Sequence, residues 1–131
     1  MYFLVVTVGT VQQVSIETGV GFIPRVAYKG KYYTICKHFF EDDNNGAIAV
    51  CKALGFPDGY TTKREMEGDS LHSIRVGQCK PGELKLDKCT GGGNAFGDLD
   101  AGNGQCHTGK WVASEVICTG AVRRYLKHMQ L

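Results

Sequence analysis

Six cysteines in 131 residues constrain this chain more than anything else in it. Cys36, Cys51, Cys79, Cys89, Cys106 and Cys118 are separated by steps of 15, 28, 10, 17 and 12 residues. No Cys-x-x-Cys pair occurs, so neither a zinc ribbon nor a thioredoxin-type dithiol fits the spacing. An even, widely spread set points to disulfides and hence to an oxidising compartment. The length suits one domain with a core modest enough for crosslinks to matter.

Local signals show what those cysteines have to fasten. The stretch Arg25 to Cys36, RVAYKGKYYTIC, has the syntax of a β-hairpin. Val26 and Tyr28 precede a Lys29-Gly30-Lys31 turn; then Tyr32, Thr34 and Cys36 share one face, with Tyr33 and Ile35 on the other. After Phe40 the period changes. Asp42, Asp43 and Asn44 are good helix N-caps, and Ala47, Val50, Cys51 and Leu54 recur at i, i+3, i+4 and i+7, which is one buried helical stripe. Gly55 suits a left-handed C-cap and Pro57 prevents continuation. Three turns of helix are marginal in water, so this one needs a sheet to lie on. Cys51 faces that sheet, and its partner belongs on the core side of a strand; Cys36, at the end of a strand, is expected to bond elsewhere than to Cys51.

Further strands are expected in QQVSIETG, around Tyr60 to Thr62, around Leu71 to Val76, and in KWVASEVIC, the last core strand. The N-terminal MYFLVVTVG reads as a strand or a chain end. CKPGELKLDKC carries Pro81-Gly82 turn chemistry that lets its ends meet. Sixteen residues from Thr90 to Gln105 contain six Gly, the pattern of a loop. Its Asn94, Asp98, Asp100 and Asn103 are oxygen ligands at short spacing, but without the terminal Glu of an EF-hand, and a flexible loop is the better reading of residues 91–104 than a metal site.

Composition excludes several functions. Arg123, Arg124 and Lys127 sit in an acid-free tail; without them the chain holds 12 basic against 13 acidic residues. No basic stripe interleaved with aromatics is present, so nucleic acid is not an expected partner. No apolar run reaches the length of a membrane span, and the N-terminus lacks the basic leader and cleavage site of a signal peptide. A secreted chain of this kind would have lost its leader or be a piece of a longer protein, and no N-x-S/T sequon supports a secreted origin independently. Cys106-His107 is adjacent in sequence, a poor geometry for a nucleophile and base, and His72 and His128 have no Ser or Cys motif beside them. Catalysis is not expected, and no cofactor is implied. Trp111, Phe39, Phe40 and Phe56 read as core aromatics, with Phe39-Phe40 the pair to check on an exposed turn.

The ordered elements resemble the scavenger receptor cysteine-rich (SRCR) domain in its six-cysteine form. The matching segments are RVAYKGKYYTIC, AIAVCKALGF, VGQC with a cysteine ten residues on, and the final Val-Ile-Cys, spanning Val14 to Thr119. The resemblance implies an α+β fold, a curved five- to six-stranded, antiparallel-rich sheet cradling one helix. It also implies three disulfides, Cys36–Cys106, Cys51–Cys118 and Cys79–Cys89. On this reading residues 1–13 are an N-terminal extension, 14–119 the SRCR-like domain and 120–131 a basic tail.

Members of the family that bind divalent cations carry acids where this chain has Lys37, His38, Arg75, Val76 and Val112. Hard cations need oxygen ligands, so the family's usual metal sites are expected to be empty. The charge reversal makes Lys37, His38 and Arg75 candidates for direct contact with an anionic ligand. The resemblance implies a non-catalytic extracellular recognition module of a secreted or cell-surface protein, a domain of a larger chain that binds a protein or a polyanion without entering a membrane. The alternative is an accessory domain of a secreted protease or oxidase.

Overall fold

The structure, a computed structural model, describes residues 3–8, 11–12, 16–36, 40–66, 73–91 and 111–121. Strand β3 (Gly21–Tyr28) is its hub, because it pairs antiparallel with β1 (Phe3–Val8), β4 (Lys31–Ile35) and β7 (Trp111–Thr119). The β3–β4 hairpin turns through Lys29 and Gly30, both at positive φ, with Tyr28 opposite Lys31. A two-residue turn with two positive φ angles has the twist that hairpin strands require. The N-terminal apolar run is a strand: β1 pairs with β3 from Phe3↔Ala27 to Thr7↔Ile23, so the sheet reaches into residues 1–13.

Two short strands extend the sheet, β2 (Val11–Gln12) beside β1 and β6 (Ser73–Ile74) beside β4. The long β5 (Asp58–Met66) pairs with β7 along its whole length. Among the described residues seven strands are therefore joined, all antiparallel except β4–β6, and the two-residue strands account for the excess over the five or six expected. Of the alternating segment QQVSIETG, Gln12 belongs to β2, residues 13–15 lie outside the described residues, and Ile16 to Gly19 are not strand. Thr18 and Gly19 form a turn with Gly19 at φ +80°, held by Gly19 N–H donating to Cys118 C=O at 2.8 Å and Thr18 Oγ1 to Gly120 C=O at 2.6 Å. Turn chemistry outweighs alternation here.

Helix α1 (Asn45–Ala53) lies where the apolar period places it. Ala47, Val50 and Cys51 are buried, and Leu54 packs partly buried against the core. Its N-cap is Asn44, whose side chain makes no capping hydrogen bond; Asp43 Oδ1 accepts from Asn45 N–H at 2.9 Å instead. At the other end Phe56 N–H donates to Cys51 C=O at 2.8 Å and Gly55 N–H to Lys52 C=O at 3.1 Å, with Gly55 at φ +98°. That is a Schellman termination, which glycine alone enters without strain.

The helix packs on β5 and β7, and the core fills the space between with Phe22, Val26, Ile35, Phe40, Phe56, Ile74, Val76 and Val116. Phe40 is fully buried, so the exposed-turn reading of that aromatic is corrected; Phe39 lies outside the described residues. Cys51 is bonded to Cys118 across 67 residues and Cys79 to Cys89 across 10. Cys36 is disulfide-bonded as well, and its expected partner Cys106 lies outside the described residues. Gly59 faces the helix bridge, since a Cβ there would collide with Cys51 Sγ and approach Ile117 C=O to 3.0 Å.

Loop-closure entropy orders the two resolved bridges. The 67-residue bridge is worth about 4 kcal/mol and the 10-residue one about 3 in the chain-entropy model. Cys51→Ala/Cys118→Ala is expected to lose more stability in urea than Cys79→Ala/Cys89→Ala, and the reverse order would place the helix's attachment elsewhere.

Candidate ligand-binding surface

At the end of β4 the sheet brings distant residues together. β4 and β6 run parallel with Thr34 opposite Ser73 and Ile35 opposite Ile74, and Cys36 N–H donates to Ile74 C=O at 2.9 Å. The pairing thus continues past both strands and sets Arg75 beside Cys36. Ile74 and Val76 are fully buried in the core, so the intervening Arg75 is directed to the opposite face, where it is half-buried.

Of the three candidate contact residues, Arg75 is described, while Lys37 and His38 are not. Arg75 adjoins the residue immediately preceding Lys37. The Gly-rich segment is described only at its start, where Gly91 bridges antiparallel to Gln78; residues 92–104 and the tail from 122 lie outside the described residues.

The same face holds a residue that the sequence reading passed over. Arg25 stands opposite Thr34 in the β3–β4 ladder, and Thr34 opposite Ser73 in the next, so Arg25, Thr34 and Ser73 form one row. The Thr34 and Ser73 hydroxyls lie 3.1 Å apart and are fully buried. The Nε atoms of Arg25 and Arg75 are both buried without a hydrogen-bond partner. An unmade hydrogen bond at a buried donor costs about 1–3 kcal/mol, and a guanidinium cannot shed its charge to avoid it. The signal was available: a two-residue turn at Lys29-Gly30 fixes Arg25 opposite Thr34.

A second polar network fixes the loop behind the helix. Gln78 Nε2 donates to Asp43 Oδ2 at 2.8 Å, and Asn45 Nδ2 to Cys79 C=O at 3.1 Å. Ser114 Oγ, fully buried on β7, donates to Glu41 Oε2 at 3.0 Å. These bonds use the acids of the break before the helix as structural acceptors. Among the described residues no three His, Cys, Asp or Glu gather as a metal-ligand group.

Among the described residues a bent sheet surrounds one short helix, with the helix bridged to β7 and a second bridge closing a ten-residue loop; this is the architecture of the SRCR domain, and this chain folds as one. Among solved structures it is similar to the dimeric form of the SRCR domain of mouse MARCO, with a TM-score of 0.57 and 25% sequence identity over 81% of this chain and 94% of that one. No protein-family model matches the sequence, and no curated protein does. The disulfide-rich SRCR fold indicates an extracellular domain, and among the described residues no helix is long and apolar enough to cross a membrane.

An arginine held for stability and one held for contact respond differently to removal. Arg75→Met keeps the apolar stem and deletes the unpaired donor, so it is expected to leave stability in urea unchanged or to raise it by about 1 kcal/mol. A loss of more than about 1 kcal/mol would show that the guanidinium is structurally paired.

Proposed function

We propose that this chain is a non-catalytic extracellular recognition module, one domain of a larger secreted or cell-surface protein, that binds a protein or polyanionic ligand. The observation that carries the reading is the SRCR fold itself, shared with a domain of mouse MARCO along nearly the whole of that domain. SRCR domains serve as receptor modules rather than as catalysts, which agrees with the absence of any nucleophile and base pairing in the sequence.

Contact with the ligand is assigned to Lys37, His38 and Arg75. In this reading the side chains supply the positive charge that a bound cation supplies elsewhere in the family. The placement of Arg75 at the end of β4, next to the chain leading into Lys37 and His38, supports it. A basic side chain needs no metal to attract an anion, and Arg in particular meets carboxylate or sulfate oxygens with two parallel donors.

Binding to immobilised heparin, measured with and without a chelator, tests this. Retention is expected to be the same within about twofold in EDTA, since no divalent ion takes part. Loss of binding in EDTA, restored by calcium, would overturn the assignment of the charge to these side chains.

A further inference from the structure

Arg25 and Arg75 come from elements about fifty residues apart in sequence and arrive on one face of the sheet. The antiparallel step from Arg25 to Thr34 and the parallel step from Thr34 to Ser73 cover two interstrand spacings, and Arg75 lies two residues beyond Ser73. With strands about 4.8 Å apart and a rise of about 3.3 Å per residue, the two arginine Cα atoms are about 12 Å from each other. Two arginine side chains leaning inward from that distance can close on a small group. Between them lies the Thr34–Ser73 hydroxyl pair, fully buried and therefore a floor rather than a contact surface.

Neither side chain has a hydrogen bond or an ion pair among the described residues, and each has its Nε buried. Polar groups left in this state are uncommon in folded proteins, and each calls for a reason. Here the state is doubled on one face, on the only kind of side chain that offers a planar fork of donors to an oxyanion. Both residues are half-buried rather than sealed, so beyond the buried Nε part of each side chain stays open to a group from outside. Lysine at either place would offer a point charge that turns to water; arginine offers fixed donors that an oxyanion satisfies in pairs.

We propose that Arg25 and Arg75 form a clamp for a single oxyanion group, a sulfate ester or carboxylate borne on an extracellular polyanion. The Thr34–Ser73 pair sets the spacing of the clamp by locking β4 to β6. The clamp rests on the recognition reading above and deepens it, by naming the group bound and by extending the surface from the end of β4 across to β3. Loss of either arginine removes half of the donors, whereas loss of a lysine on the Cys79–Cys89 loop, such as exposed Lys80, removes only diffuse charge.

The test uses the folded chain with heparin as the sulfated probe, poly-L-glutamate as the carboxylate probe and dextran as the neutral control. Arg25→Gln and Arg75→Gln are each expected to weaken binding to the preferred probe by about tenfold or more, and Lys80→Gln by no more than about twofold. The ratio of the two probes' affinities for the unaltered chain assigns the oxyanion as sulfate or carboxylate. Phenylglyoxal labelling needs no variant: saturating probe is expected to slow modification of Arg25 and Arg75 by about tenfold, as a desolvated, doubly bonded guanidinium should show. Equal labelling rates with and without a probe that does bind would overturn the clamp while leaving the recognition reading in place. Failure of the unaltered chain to bind either probe would overturn the clamp together with the polyanion side of the recognition reading.

Discussion

Helix α1 has nine residues, fewer than an isolated helix needs in water, so its presence depends on what holds it to the sheet. The Cys51–Cys118 bridge does this covalently, joining the inward stripe of the helix to the last residues of β7. The room for it comes from Gly59, which stands opposite Cys118 in the β5–β7 ladder and lacks the Cβ that would occupy the position of Cys51 Sγ. One bond thus fixes three elements, and the core aromatics Phe22, Phe40 and Phe56 pack in the space it defines. A noncovalent contact of the same area would have to oppose the chain entropy of a 67-residue separation unaided.

A chain stapled in this way can carry local costs that a small domain otherwise avoids. Two resolved bridges contribute about 3 to 4 kcal/mol each, against about 1–3 kcal/mol for each orphaned buried donor. Arg25 and Arg75 are therefore tolerable, although packing alone gives no reason for them; apolar residues at either place would fill the same half-buried space. The acids around the helix start show the contrast. Asp43 and Glu41 are engaged by Asn45, Gln78 and Ser114, so the fold satisfies its charged groups where structure alone is served.

Features set by local chemistry were legible in the sequence. The i, i+3, i+4, i+7 stripe located α1, Gly55 marked its Schellman end, and Lys29-Gly30-Lys31 marked the hairpin, with Lys31 turning out to be the first residue of β4, since each depends on a few adjacent residues. The inward direction of Cys51 correctly demanded a partner on a core strand, and the resemblance named Cys118. The parallel β4–β6 pairing was not legible, because β6 has two residues and its partner lies 39 positions away, too little pattern to carry a register. Arg25 was missed for a related reason. Alternation showed which face it occupies, but its neighbours on that face are decided by β6, so its association with Arg75 is visible only in three dimensions. Arg75 itself was found through the resemblance, as a basic residue where an acid is usual.

The nearly balanced charge of residues 1–120 bears on how such a surface would work. A strongly basic domain draws anions from a distance, through a field that salt screens over about 8 Å at physiological ionic strength. This body has no such field, so attraction has to arise at contact. Half-buried guanidinium groups fit that regime: with part of their hydration already lost, they gain more from a matching oxyanion than a fully solvated lysine does. Selectivity then follows from the fixed spacing of donors on a rigid sheet rather than from total charge, and the rigidity returns to the disulfides, which fasten the helix and the last strand on the core side, away from the arginines, while a ligand is exchanged.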